Sequence, residues 1–157
     1  MPQLVKGGKF IYGLSRIGPG GSIIIPPQAM SEYGFKADDN VILMSGSRRS
    51  GGFALTKRSI VEKSALSKII HDLPGLFNNL IPEKEIVIYQ RRAFCRTVIN
   101  SNGNIDLPGA ALSRYDINTG DVLAAGRGSY LSIAFIARGP IFEECLRHPE
   151  LQVFASE

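Results

Sequence analysis

The sequence predicts a mainly β, α+β fold with short helices, made of two copies of one unit, and two observations predict it. First, sliding the 157-residue chain against itself by 82 positions lays residues 14–58 on residues 96–140 without a gap. Of these 45 pairs, 12 are identical, among them Ile17/Ile99, Gly21/Gly103, Ile23/Ile105, Pro26/Pro108, Tyr33/Tyr115, Asp39/Asp121 and Phe53/Phe135; roughly three would coincide by chance at ordinary composition. Second, each copy interleaves short β-branched runs with Gly, Pro and Asp signals at spacings that suit strands and a single short helix.

The elements follow in order. A glycine turn, Gly20-Gly21 or Asn102-Gly103, releases a strand at Ser22 to Ile25 or Asn104 to Leu107. Pro26 or Pro108 ends the ladder because it has no N–H to donate, and its fixed φ suits the start of a helix. The helix spans Gln28 to Tyr33 or Ala110 to Tyr115 and stays short. A turn on Asp38-Asp39 or Gly120-Asp121 leads to a strand at Val41 to Ser45 or Val122 to Ala125. A hairpin loop, Gly46 to Gly52 or Gly126 to Ser129, then returns the chain as Phe53 to Thr56 or Leu131 to Ala137.

One such unit has too little apolar surface for a core and leaves open strand edges, so pairing with its own copy is the expected solution. Four segments result: residues 9–58 as the first repeat, 59–82 as a helical connector, 83–140 as the second repeat with its preceding strand, and 141–157 as a short helix and tail. The connector opens on a capping-box pattern, Ser59 to Glu62, and places Val61, Ala65, Leu66, Ile69, Ile70 and Leu73 on one helical stripe that Pro74-Gly75 stops. Glu85 to Tyr89 reads as a strand, and Ile141 to His148 as a helix broken by Pro149. The connector and the last helix either cover a pocket or close the β structure.

Composition sets the outer bounds. With 44% hydrophobic residues the chain can bury a core, and without an apolar run of 18 residues it is expected to have no membrane-spanning helix. Met1 to Gly13 lacks the order of a secretory signal, which gives a soluble, cytoplasmic expectation. Cys95 and Cys145 have no CxxC spacing and no histidine in a ligand pattern, so buried thiols are expected and no metal or cofactor. Residues 1–82 carry 10 Lys/Arg against 5 Asp/Glu, a net of +5, and residues 83–157 carry 8 against 9, a net of −1, giving the total of +4. A basic first half suits a polyanionic partner and suits solubility equally well. No G-x-S-x-G, H-E-x-x-H or nucleophile-plus-base arrangement is present, so no enzyme is expected.

The runs "GSIIIPPQAMSEYGFKADDNVIL" and "GNIDLPGAALSRYDINTGDVLA" resemble the strand, Pro, short helix, Gly-Asp turn, strand pattern of the AbrB/MazE/SpoVT swapped-hairpin family. The resemblance covers some 90 to 100 residues, in both copies and in register. Members are prokaryotic transcription regulators and antitoxins in which two copies interleave hairpins into a small barrel and present a basic face to DNA. It implies an intramolecular pseudo-dimeric barrel, double-stranded DNA as partner, and room for a protein partner or further association of copies. Members commonly carry a basic residue after the turn glycine and more in the short helix, where this chain has Ser22, Asn104, Met30-Ser31 and Leu112-Ser113. The DNA-contacting candidates are therefore Lys9 and its repeat partner Arg91, with Arg16, Arg92, Arg96 and Arg114. Solvated surface charge is the competing reading for each. The loop Ser45 to Gly52 sets Arg48 and Arg49 among flexible residues and reads either as a hairpin loop or as an anion-binding nest without the Walker order.

Overall fold

The computed structural model describes residues 9–65, 67–129 and 131–155, omitting the side chain of Ser129. The first repeat contains β1 (Ile11–Arg16), β2 (Ser22–Ile24), α1 (Pro27–Tyr33), β3 (Asn40–Ser45) and β4 (Phe53–Thr56). The connector supplies α2 (Arg58–Val61), α3 (Lys68–Asp72) and α4 (Pro74–Phe77), and β5 (Ile86–Tyr89) follows. The second repeat contains β6 (Arg92–Val98), β7 (Asn104–Asp106), α5 (Gly109–Arg114), β8 (Val122–Ser129) and β9 (Ser132–Ile136). The tail adds α6 (Pro140–Leu146) and β10 (Val153–Phe154).

Eight strands form one sheet in the order β10-β1-β8-β9-β4-β3-β6-β5, and β2 and β7 pair as a separate ribbon. The fold is mixed α+β and mostly sheet. The order of the six inner strands, β1-β8-β9-β4-β3-β6, reads the same from either direction once each is exchanged for its counterpart 82 residues away, while β10 and β5 at the ends are unrelated. Thus β1 pairs with β8 through Leu14↔Ala124, Ser15↔Leu123 and Arg16↔Val122, and β6 pairs with β3 through Arg96↔Ile42, Thr97↔Val41 and Val98↔Asn40 in the same register. The first strand of each copy is therefore hydrogen-bonded to the other copy. Among the described residues the hydrogen-bonded order ends at β10 and β5.

Two pairings join a residue to its own counterpart. Ile23 lies opposite Ile105 in the ribbon, and Phe53 lies opposite Phe135 between β4 and β9. The two phenyl rings stack at 4.8 Å. Around them one core draws on both copies alike, with Ile17 and Ile99, Ala29 and Ala111, Phe35 and Ile117, and Val41 and Leu123 all buried. Two glycines are fixed by this meeting of copies. Gly21 (φ 75°) and Gly52 (φ 67°) would each bring a Cβ within 2.1 Å and 2.0 Å of the carbonyl oxygens of Leu107 and Phe135, so no side chain fits.

Two smaller clusters cover the opposite side of the sheet. The connector lays Val61, Leu76 and Phe77 over Ile42 and Phe94, and α6 with the tail lays Cys145 and Leu151 over Ile11, Leu14, Ala124 and Ile136. Ile42 and Ala124 are repeat partners, so unrelated segments cover equivalent surfaces.

The connector differs from the single helix expected. Helix α2 starts two residues early, with Lys57 at its cap and no side-chain capping bond, so Ser59 is not an N-cap. Ser64 ends it by donating its Oγ to the Val61 carbonyl at 2.7 Å, a side-chain bond that competes with helix continuation. Leu73 precedes a proline and leaves the helical region at φ −125°, ψ 58°, and Pro74 begins α4 where a stop was expected. Ile69, Ile70 and Leu73 still pack on the cluster beneath, while Leu66 lies outside the described residues. Strand β8 also runs past the expected turn at Gly126, because Arg127 is bonded on one side to Phe10 (2.9 Å) and on the other pairs with Ile133.

Because Phe53 and Phe135 are repeat partners at one junction, Phe53→Ala and Phe135→Ala should each lower the unfolding free energy by about 3–5 kcal/mol in urea titration, with comparable losses. His148 lies between Glu150 (Nδ1 to Oε2, 2.9 Å) and Glu144 (Nε2 to Oε2, 3.0 Å). Hydrogen bonds to Glu150 and then Glu144 raise its pKa above 6.5. The pair's stabilisation is thus fully present below pH 6.5 and is lost as pH rises through the raised folded value. An NMR titration should place the His148 midpoint above that of His148 in the Glu150→Gln variant.

Candidate nucleic-acid interface

The N-terminal ends of β1 and β6 form two corners related by the repeat. At the first corner, Lys9 donates its Nζ to the Arg127 carbonyl at 3.0 Å, and burial lowers the pKa of its amine. The Arg127 guanidinium lies 4.5 Å over the Phe10 ring and its Nη2 reaches both carboxylate oxygens of Glu32 on α1, at 3.0 and 2.8 Å. Tyr12 donates its hydroxyl to the same carboxylate at 2.5 Å. The Tyr12 bond and the guanidinium together hold Glu32 below the usual carboxylate range. Glu32 neutralises Arg127 here while Lys9 bonds only a backbone carbonyl, and Arg127, a residue not expected from sequence to matter, is the centre of this corner.

By sequence offset the second corner carries Arg91 for Lys9, Arg92 for Phe10, Arg114 for Glu32 and Ser45 for Arg127. The bulge between Ile11 and Gly13 shifts β1 by one residue, however, so in space Arg92 takes the place of Lys9 and Ala93 that of Phe10. Arg92 donates through Nη2 (2.9 Å) and Nε (3.3 Å) to the Ser45 carbonyl, the oxygen equivalent to the one Lys9 engages. Tyr115 at the end of α5 donates its hydroxyl to the Ala93 carbonyl at 3.3 Å. Helix α5 packs on the main-core face with Ala93 and Cys95, while Arg92 faces the connector side with Phe94. Arg92 and Arg114 thus flank the start of β6 from opposite faces of the sheet. The carboxylate of the first corner has become a guanidinium here. Arg91, Arg92 and Arg114 are exposed, and among the described residues none of the three has a carboxylate partner.

Arg91 is held there at a conformational cost. Tyr89↔Arg92 closes the β5–β6 hairpin over two residues of positive φ, Gln90 (48°) and Arg91 (66°). Such turns favour Asn-Gly, and a long side chain in this region is strained.

The other candidates lie elsewhere. Arg16 is exposed at the far end of β1, roughly 23 Å from Lys9 at 3.3 Å per residue. Arg96 requires a correction: only 9% of it is exposed, its Nη1 donates to Asn40 Oδ1 at 2.6 Å and its Nη2 to the Ile81 carbonyl at 3.0 Å. It fastens the end of the connector to β3 and cannot reach a phosphate. In the Arg48-Arg49 loop, the amides of Ser50 and Gly51 bond to Ser47 Oγ (3.1 Å) and the Ser47 carbonyl (2.9 Å), and that of Gly52 bonds to the Tyr115 carbonyl (3.1 Å). The amides on the Ser50 to Gly52 side of the loop are thus already engaged within the protein. The Arg48 carbonyl accepts Arg138 Nη2 at 2.7 Å, and Arg138 pairs with Asp116 at 2.7 Å. The structure gathers Arg49, Arg138 and Lys9 around one surface depression, a grouping across 129 residues of sequence.

Among the described residues no group of three or more His, Cys, Asp or Glu could hold a metal ion, and no helix is long and apolar enough to cross a membrane. Cys95 and Cys145 are buried and unpaired, and burial pushes both thiols up to about 11.

No protein-family model matches the chain, and no curated protein matches it. Among solved structures it is similar to the solution structure of PHS018 from Pyrococcus horikoshii, with 13% identity over 83% of this chain and 97% of that one, at a TM-score of 0.37. A likeness at that score carries neither fold nor function across.

Arg96→Ala should destabilise by about 2–4 kcal/mol in urea titration, since it leaves Asn40 and Ile81 oxygens without their donor. Arg114→Ala should stay within about 0.5 kcal/mol of wild type. Both thiols should resist a disulfide reagent at pH 8 until the chain is unfolded.

Proposed function

We propose that this chain is a DNA-binding transcriptional regulator of the AbrB-like type, acting in a prokaryotic cytoplasm without catalysis. In this reading two swapped-hairpin units form an intramolecular pseudo-dimeric barrel, and Arg91, Arg92 and Arg114 contact the phosphates of a duplex. The observation that carries it is the set of exposed guanidiniums around the start of β6, Arg91, Arg92 and Arg114, which have no carboxylate partner among the described residues, whereas at the start of β1 Glu32 neutralises Arg127. Planar guanidinium forks suit phosphate oxygens, and cations left unpaired in the free protein need no internal ion pair broken on binding. The strained tip at Arg91 adds support, because strain of this kind concentrates at functional positions. Arg16 lies at the far end of β1, outside this corner.

A protein partner or a second copy is the alternative, and one observation favours it. Strand β5 lies at the sheet edge with Ile88 52% exposed, a surface that another strand could extend.

Fluorescence anisotropy against a mixed-sequence duplex should show binding whose log affinity falls linearly with log salt. Alanine at Arg91, Arg92 and Arg114 together should weaken it and flatten the slope by about 0.9 for each phosphate that is no longer neutralised. Arg91→Gly should separate the two roles of that position: it relieves the positive-φ strain and raises stability by up to about 1 kcal/mol, while DNA affinity falls. Unchanged affinity in both variants would remove the corner from DNA binding and leave β5 as the surface to pursue.

A further inference from the structure

The three-piece connector does more than cover the sheet. Between it and the strands lies a cleft of about 320 Å³, floored by Ile42, Met44 and Phe94 and roofed by Val61, Ile69 and Phe77. We propose that this cleft is a binding site for a small apolar carboxylate. Size sets the first part of that assignment: an apolar cavity of about 150 Å³ takes benzene, so this one accommodates about twelve non-hydrogen atoms.

Charge sets the second part. Lys68 on α3 and Arg92 at the start of β6 both line the cleft and are exposed. Among the described residues Lys68 makes no hydrogen bond or ion pair, and Arg92 donates only to the Ser45 backbone. The acid at the mouth, Asp72, accepts the Tyr89 hydroxyl and neutralises neither cation through an ion pair. A pocket that is apolar inside, with two cations against one carboxylate at its mouth, selects a molecule with an apolar body and an anionic end. The apolar body replaces contacts that the short, interrupted helices leave unmade, and the carboxylate gives Lys68 a counter-ion. The site shares Arg92 with the DNA reading, while its apolar lining and Lys68 stand outside the phosphate-contacting set, so the Lys68 variant tests it separately.

Calorimetric titration of the full chain with decanoate, which has twelve non-hydrogen atoms, and with its neutral isostere decanamide tests this directly. Saturable one-to-one binding of decanoate is expected, about tenfold tighter than decanamide, with a matching rise in melting temperature. Lys68→Ala, an exposed position, should abolish the preference for the acid, and Met44→Trp, which fills the cleft, should abolish both affinities. The proposal is overturned if decanoate shows no saturable binding, if acid and amide bind equally to the wild type, or if the two variants leave binding unchanged.

Discussion

The structure depends on one constraint: neither repeat can bury its apolar face alone, so each must find its core in the other. The meeting point is where residues contact their own counterparts, Ile23 with Ile105 and Phe53 with Phe135. The stacked phenyl rings occupy the seam between β4 and β9, and the outer strands complete it by exchange, β1 joining β8 and β6 joining β3. From that exchange follow the palindromic order of the six inner strands, the glycines at 21 and 52, and the two corners at the starts of β1 and β6. It also leaves one side of the sheet bare at equivalent places, Ile42 and Ala124, which the connector and α6 cover with unrelated sequence.

A scaffold fixed by its core leaves the corners free to diverge, and their chemistry has done so. Where one corner closes a Tyr12–Glu32–Arg127 network over Phe10, the other has replaced the acid with Arg114 and the central arginine with Ser45. The first is a fastener for α1. The second keeps Arg91, Arg92 and Arg114 available to an outside anion. The same divergence moves a charge inward, since Leu14 of the small apolar cluster has Arg96 as its repeat partner, buried between Asn40 and Ile81.

Much of this was legible in the sequence because the repeat pairs each residue with a known counterpart. The strands, the Pro-started short helices and the Asp turns follow from local chemistry and the 82-residue offset, whereas the pairing of Lys9 with Arg91 does not, because the bulge in β1 sets Lys9 in the place equivalent to that of Arg92. Three further features were not legible, each for a physical reason. The burial of Arg96 depends on Ile81, brought to it by a connector whose path no periodicity encodes. The neutralisation of Arg127 at the first corner needs Glu32, 95 residues away, to meet it across exchanged strands. The tail strand β10 is two residues long and pairs in parallel with β1, too short for a pattern. The connector carried a helical stripe correctly, yet Ser64 and Leu73 break it through backbone competition that hydrophobic spacing does not report.

The corner at Arg91, Arg92 and Arg114 is tested most directly by recording arginine Nε–Hε NMR signals of the full chain while a short duplex is added at low salt. Shifts concentrated on those three signals, with Arg127 and Arg96 unmoved, are expected if the unpaired guanidiniums meet phosphate. Shifts confined to Arg48, Arg49 and Arg138, or none at all, would contradict a DNA-contacting role for that corner.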